Sequence, residues 1–545
     1  MTTSSITPYR SGRKPGRDGF AQLLRSEWTK FRTVRGWLYA LIAAPLLAAL
    51  ATLAIVGAAN PTRNPGAQNP GPTGPNGEAV TDQFEFAHQP LTGNGSITVA
   101  VTSLTGSFVA PPGGLPPAGW VQHSLGQGLQ PWTKAGIIIK DGTKPGAAYA
   151  AVMVTGGHGV RMQYDYTHDI AGQGGSPPAA APAWLRLTRS GDTIAGYDSA
   201  DGTHWTRIGT AALAGLPSTV QAGMFATSPG ADLTTQGFAS NNGGQFSTLG
   251  TAAIGHVSRQ GGWTASAWTA SQVGLLTKAN GPPGVHCGTG CVRAGSKPAP
   301  GAGFTAHGDT YTVSGSGDIA PYVPILDPLG LSFKGTLVGL IAVIALGAMF
   351  ITAEFRRGMM IRTTFVASPR RGRVLAAKAL VIGSVTFVAG LAGAAVAFVA
   401  GGHKLTQSGW SAAVFPAWPL LSAHGLQMVV GTAGLFALAA VLAVAAGATL
   451  RRSAGAIAAV IGVIIVPLIL ATLLPMGPAQ WLLRLTPAAA FSVQQGTQFY
   501  PQVSHACLPY NGCYPLSPWN GFAVLAVWAV LALGGAIYLA RRRDA

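Results

Sequence analysis

Charge is what this chain of 545 residues has least of: Asp, Glu, Lys and Arg make up 10% of it, where soluble globular chains carry about a quarter. That shortage excludes an ordinary cytosolic enzyme. Acid is scarcer than base, 17 Asp and Glu against 35 Lys and Arg, but nucleic-acid binders do not join such an excess to long uncharged apolar runs, so no nucleic-acid partner is expected. No Gly-x4-Gly-Lys-Ser/Thr run occurs, and the chain therefore has no P-loop with which to bind ATP itself. His-Glu-x-x-His and Gly-x-Ser-x-Gly are missing too, which removes two common hydrolase designs. A glycosidase needs a paired acid and base, yet the long polar region has only Glu78 and Glu85 as glutamates, and Asp141, Asp192 and Asp201 sit in turn contexts. We expect no catalytic residue, no metal ligand and no cofactor held by this chain.

What is there is apolar. Hydrophobic residues are 48% of the chain and mean hydropathy is +0.33, concentrated in six runs: Trp37 to Ala59, Gly335 to Ala353, Val374 to Ala400, Leu426 to Leu450, Ala454 to Leu474 and Gly521 to Ala540. As a helix of about 35 Å, a run like the first crosses a hydrocarbon core of about 30 Å. The one charge inside them is Lys378, one turn into its run, where a long side chain is expected to snorkel to the interface. The first run is too long and too far into the chain for a removed signal peptide and reads as a signal anchor.

Basic residues locate the sides. Met1 to Gly36 holds eight of them and Glu354 to Arg373 six, with Arg451, Arg452 and Arg541 to Arg543 on the same side, whereas the short loops between hold Lys404 and Arg484. Both termini are thus expected in the cytoplasm of a multi-pass cell-membrane protein. The expected order is a disordered basic tail (1–18), an amphipathic interfacial helix (19–36) and a first span (37–59). A Pro/Gly linker (60–81) and an extracytoplasmic β region (82–328) follow, then a second span (331–353), a cytoplasmic loop (354–373) and a membrane domain with the third to sixth spans (374–545), including an outer loop at 475–520.

Gly and Pro, 75 and 38 residues, are too many for helices alone. Between the first two spans the period changes to two: Ser96 to Val101, Gly136 to Lys140, Tyr149 to Val154, Val160 to Tyr164, Trp184 to Arg189 and Thr193 to Tyr197 read as strands, and Thr310 to Ser314 as a late strand. Turn pairs such as Asp141-Gly142, Gly191-Asp192 and Asp201-Gly202 separate them. The pattern is that of a β-sandwich. Two blocks, Trp132-Thr-Lys-Ala-Gly-Ile137 with Lys140-Asp141, and Trp184 to Asp192 continuing through Asp201-Gly-Thr-His-Trp205, resemble the strand and hairpin blocks of concanavalin-like jelly-roll domains. The resemblance covers roughly Asp82 to Gly250 and implies a lectin-type sandwich, with a glycan or protein as the ligand class. The fold class expected is therefore a polytopic α-helical membrane protein of six spans, with an extracytoplasmic all-β jelly roll inserted between the first and second.

Ahead of the first span, Phe20, Leu23, Leu24, Trp28, Phe31 and Val34 share one helical face, as in a helix lying in the inner interface of the lipid bilayer. Glu27 falls inside that apolar arc. It is read either as an ion pair with Lys30 at i+3 or as a contact with an Arg of the next cytoplasmic loop. That loop opens Glu354-Phe-Arg356-Arg-Gly358, has Met359, Met360 and Ile361 before the core Arg362-Thr363-Thr364-Phe365, and leaves through Pro369-Arg370-Arg371-Gly-Arg373. With the amphipathic helix and the six-span layout, it resembles the permeases of the second ABC exporter class. The resemblance implies that this loop docks into a cleft of a partner ABC ATPase, which holds the ATP and Mg, and that the permease pairs with itself or a sister chain. Common members of that class have a short first outer loop, and the inserted domain departs from them. Independently of the family, Met359, Met360, Ile361 and Phe365 are apolar in a segment that should be soluble, which suits an adaptable binding surface; the basic residues around them fit topology and anionic lipid equally well.

All four cysteines, Cys287, Cys291, Cys507 and Cys513, fall on the outer side in this topology, which fits disulfides in an oxidising compartment. Four cysteines allow three pairings; closure within each near pair is expected, with links between the domain and the last loop the alternative. Zinc on His286, Cys287, Cys291 and His307 would need reduced thiols outside. Three functions stand: a permease subunit driven by separate ATPases, a membrane-anchored glycan- or protein-binding sensor, and a membrane-bound glycan hydrolase. Six spans favour the first, because a displayed domain needs one anchor.

Overall fold

The computed structural model describes residues 19–58, 71–109, 120–122, 128–172, 182–235, 243–274, 301–323, 327–356, 370–407, 420–474, 476–496, 500–503 and 514–542. Helix α1 is Phe20–Thr33 and α2 Arg35–Ala58. After the β domain come α3 (Pro328–Lys334), α4 (Thr336–Arg356), α5 (Arg371–Gln407), α6 (Ala423–Leu450), α7 (Ser453–Ala471), α8 (Met476–Leu485), a 3-10 helix (Pro487–Gln494) and α9 (Pro518–Arg542). Among the described residues, six stretches are long and apolar enough to cross a membrane: α2, Leu329–Phe355 (which joins α3 to α4), α5, α6, α7 and α9.

Helix ends follow the local chemistry. Asp327 accepts a hydrogen bond from the Gly330 amide at the start of α3, and the Ser422 hydroxyl accepts from Gly425 at the start of α6. Arg451 closes α6 in a left-handed conformation, its amide bonded to the Gly447 carbonyl. α6 is the central helix and packs against α4, α5, α7 and α9. Small residues let backbones approach: a Cβ at Gly347 of α4 would come within 2.7 Å of the Ala440 carbonyl oxygen of α6.

The outer loop expected at 475–520 is not simply a loop. α8 occupies its start, and every residue of the following 3-10 helix is buried. Phe491 joins Leu435, Phe436 and Leu525 in one core. The sequence Pro-Ala-Ala-Ala-Phe-Ser-Val-Gln is small and apolar enough to pack among helices, but it is too short to register as a span, and Pro487 opens it.

In chain order the β domain lies between α2 and α3. Each strand expected from the sequence falls within an observed one, including Thr310–Gly315. Thirteen strands form one hydrogen-bonded sheet rather than two separate ones. The reason is the strand Phe84–Phe108, 25 residues long. Its first part pairs with Thr219–Thr227 and Thr269–Val273, and its later part with Ala183–Ser190 and Thr248–Trp263. Between the two parts Gly93 takes φ +66°, a conformation that glycine adopts without strain. The sheet thus folds over on itself into a near-barrel. Its core sets Ile137, Ile139, Val152 and Met162 of one half against Leu185, Leu187, Ile194 and Ala211 of the other.

A separate two-stranded sheet packs into a second core of the domain, Val80 and Ile319 lying with Phe84, Tyr149 and Phe225. Val80–Asp82, leading in from α2, pairs antiparallel with Ile319–Pro321, leading out to α3. The segment read as linker up to residue 81 is therefore ordered in its second half, where Thr73 bridges Ala79 and both Ala79 and Val80 are buried. The late stretch up to residue 328 contributes not only Thr310–Gly315 but this exit strand.

His88 sits within the sheet with Nδ1 2.7 Å from Gln221 Oε1 and Nε2 2.9 Å from Ser271 Oγ. The amide oxygen only accepts, so Nδ1 carries the proton and Nε2 accepts from Ser271. Burial holds the imidazolium below its ordinary range against the pull of Gln221. The folded state then binds fewer protons than the unfolded chain, so this group's contribution is lost as pH falls below the unfolded value of 6.5. We expect the wild-type melting temperature to fall relative to that of His88→Gln as pH is lowered from 7 towards 5, measured on the full chain in detergent; parallel pH profiles would refute the assignment.

Candidate functional site

Two carboxylates and two ammonium groups meet where α1 docks on the bundle. Glu27 of α1 lies in the apolar arc because it points inward: its Oε2 is 2.5 Å from Lys378 Nζ, and its Oε1 is 2.7 Å from Lys30 Nζ. Glu354, near the end of α4, completes the quartet, with Oε1 2.6 Å from Lys378 and 3.3 Å from Lys30. Glu27 and Lys378 are 0% exposed, and Glu354 is 4% exposed. The formal charges sum to zero, which is what makes such burial tolerable.

Aromatic rings wall the quartet. Lys378 Nζ lies 4.8 Å from the centre of the Phe350 ring. Phe31 stacks between Trp28 and Trp37 and meets Phe350 edge-on at 6.0 Å, while Trp37 meets Phe350 at 4.9 Å. Of the face expected on α1, Phe31 is fully buried, Leu23 and Leu24 are half-buried, and Phe20 and Trp28 stay exposed.

Lys30, one of the two partners read for Glu27 in the sequence, is found beside it, and the reading of Lys378 is corrected. Glu27 pairs with Lys30, and its second partner among the described residues is Lys378. Lys378 does not snorkel to an interface: two carboxylates hold it inside the bundle, a nearer alternative than any solvent boundary. The signals available in the sequence were Glu27 inside the apolar arc of α1 and Lys378 as the one charge inside an apolar run.

Of the loop expected at 354–373, Glu354 and Arg356 belong to α4, and Arg371 and Arg373 to the first turn of α5, with Arg370 just before it. Arg370 and Arg373 are exposed. Arg371 Nη1 donates to the Ala540 carbonyl at 2.9 Å, tying the start of α5 to the last turns of α9, where basic groups suit the helix C-terminus. Arg451, between α6 and α7, lies over the Phe355 ring at 5.5 Å. Gly358, Met359, Met360, Ile361, Arg362, Thr363, Thr364, Phe365 and Pro369 lie outside the described residues, as do Cys287, Cys291, Cys507 and Cys513. Glu354 Oε2 is buried with no hydrogen-bond partner among the described residues, just before that segment begins. Among the described residues no three His, Cys, Asp or Glu side chains gather as a metal site.

The arrangement makes α1, the end of α4 and the start of α5 one body. Removing one partner of a buried charge pair costs about 3–5 kcal/mol because the other is left uncompensated. Lys378→Met should destabilise the protein on that scale, and adding Glu27→Gln to it should recover part of the loss, since one stranded carboxylate disappears. Thermal unfolding of the full chain in detergent reads both, and additive losses would show that the groups do not interact.

No family model matches the chain, and no curated protein matches it. One solved structure to which it is similar is the crystal structure of a functionally unknown protein from Saccharomyces cerevisiae, with 15% identity over 32% of this chain and 74% of that one and a TM-score of 0.19. At that score the likeness carries no argument.

Proposed function

We propose that the chain is the membrane-spanning permease subunit of an ATP-driven exporter of the second ABC class, energised by a separate ATPase that binds ATP and Mg. The observation that carries this reading is the quartet. It locks α1 to both helices that flank residues 357–369, so a push delivered to that segment enters two spans and the interfacial helix together. A loop serving only to hold topology has no need of a buried ionic anchor at its root. The apolar Met359, Met360, Ile361 and Phe365 supply contact area and the flanking arginines orient it. In this reading the basic end of the bundle faces the cytoplasm of a cell membrane, and the β domain, a concanavalin-like jelly roll, stands outside. A second permease chain, identical or a sister, completes the path.

Truncating or charging a buried interface anchor typically costs about 2 kcal/mol or more. Met360→Asp with Phe365→Asp should therefore abolish co-purification of the ATPase and substrate-stimulated ATP hydrolysis while leaving insertion intact. Wild-type recovery of the ATPase with this variant would reduce the loop to a topology determinant and favour the sensor reading. Orientation has its own test. In a Cys-free background, a cysteine at Thr203 should react with an impermeant maleimide in intact cells and one at Arg373 only after permeabilisation; the reverse pattern would invert the assignment.

A further inference from the structure

Inside the β domain a lysine and an aspartate are held together away from water. Lys140 ends the strand Lys134–Lys140, and Asp82 ends the entering strand Val80–Asp82. Nζ and Oδ2 are 2.7 Å apart, and both side chains are 0% exposed. Tyr149 and Tyr166 wall the pair, their ring centres 5.6 and 5.5 Å from Nζ. Burial lowers the Lys140 pKa against the pull of Asp82, which favours the free amine, a nucleophile.

Each of the three ammonium protons has its own acceptor. Nζ donates to Asp82 Oδ2, to the Tyr166 hydroxyl at 3.0 Å and to the Ala147 carbonyl at 2.9 Å. The Tyr166 hydroxyl, with one proton to give, lies nearer to Asp82 Oδ2, at 2.8 Å, than to the Ala147 carbonyl, at 3.0 Å, and donates to the carboxylate. Two of the three protons therefore have a path to one oxygen. That oxygen also accepts from the Gly146 amide at 2.8 Å. Asp82 Oδ1, by contrast, is buried with no hydrogen-bond partner among the described residues, a setting that penalises a charged carboxylate more than a neutral carbonyl.

We propose that Lys140 and Asp82 condense into an intramolecular isopeptide bond, a covalent cross-link that the β domain forms by itself. Transfer of one proton from Nζ to Oδ2 frees the nitrogen lone pair, which attacks Cγ and forms the Nζ–Cγ bond. A second proton reaches Oδ2 through Tyr166, which accepts it from Nζ as it donates its own. The Cγ–Oδ2 bond then breaks, its electron pair stays on the oxygen, and Oδ2 leaves as water. The third proton remains as the amide N–H, bonded to the Ala147 carbonyl, and Oδ1 becomes the amide carbonyl. Ammonium and carboxylate become amide and water, Tyr166 is returned unchanged, and no further reactant is consumed.

Burial drives the reaction in this direction. Two charges withheld from water give way to a neutral amide, and reactants held in contact behave as if at about 10⁵ M or more. The second buried pair of the domain lacks the arrangement. Lys134 Nζ donates to Asp318 Oδ1 and to the Ile319 carbonyl, each at 2.7 Å, and Oδ1 accepts from the Ile319 amide at 2.8 Å. Among the described residues no hydroxyl bridges that nitrogen and oxygen, and the Asp318 side chain is 11% exposed. Lys134 and Asp318 thus stay an ion pair, whereas for Asp82 the ion pair comes first and sets the register that the bond makes permanent.

The test is mass spectrometry of the purified full chain, intact and after denaturation and tryptic digestion. Wild type should be lighter by one water, not two, with Asp82 and Lys140 joined in a single branched peptide and no cleavage after Lys140. Lys140→Arg, which keeps the charge and removes the amine, should carry no such loss. Tyr166→Phe keeps both reacting groups and removes the relay, and should leave most of the chain uncondensed. Wild-type peptides ending at a free Lys140 would overturn the bond, and so would a lost water that maps to another site, such as a cyclised Asp141-Gly142. Full cross-linking in Tyr166→Phe would overturn the role given to its hydroxyl.

Discussion

A lysine ammonium buried among apolar helices is tolerable only beside carboxylates, and that constraint organises the basic end of this molecule. Lys378 is fully enclosed, so two acids must reach it. One comes from α4, its neighbour across residues 357–369, and the other from α1. α1 therefore cannot be only a helix lying on lipid. Its inward acid pins it, and Trp28, Phe31, Trp37 and Phe350 then pack as a consequence of where Glu27 has been placed.

The same rule recurs in the β domain with different components. Lys134 and Lys140 bracket one strand, and both are 0% exposed. Lys140 meets Asp82 on the entering strand Val80–Asp82, and Lys134 meets Asp318 at 2.7 Å, beside the exit strand. Burial lowers the Lys140 pKa against the pull of Asp82, so that charge stays in place because its partner does. These two strands of three residues each are too short to hold a register on their own. The buried lysines select it, since any slip would strand a charge.

Elements written in local pattern were legible before the structure. Long uncharged runs gave the spans, and alternation with turn pairs such as Gly191-Asp192 gave the strands. Features that depend on distant partners were not. The strand Phe84–Phe108 reads as separate pieces because nothing local says that the chain continues past Gly93 into the other half of the sheet. Lys378 reads as a snorkelling residue because its distance from a span end is visible in sequence, whereas Glu27, 351 positions away, is not. The 3-10 helix at Pro487–Gln494 escaped because it is shorter than a span and begins at proline, although its composition already suited burial.

The two ends of the bundle differ in what it takes to open them. At the basic end, separation must part a quartet of full charges in an apolar setting, where each stranded charge is heavily penalised. At the β-domain end, the comparable contacts are mostly neutral: the Gln494 amide donates to Thr336 Oγ1 at 3.1 Å and Thr432 Oγ1 at 3.3 Å, and Thr52 Oγ1 donates to the Ser332 carbonyl at 2.8 Å. Asp327 adds a charged acceptor there, taking bonds from the Gly330 and Gly496 amides. Neutral hydrogen bonds between helices in a bilayer contribute about 1 kcal/mol each or less, so they yield before an ion quartet does. Among the described residues, the ion quartet thus lies where α1 docks, and mostly neutral hydrogen bonds join the helices at the other end.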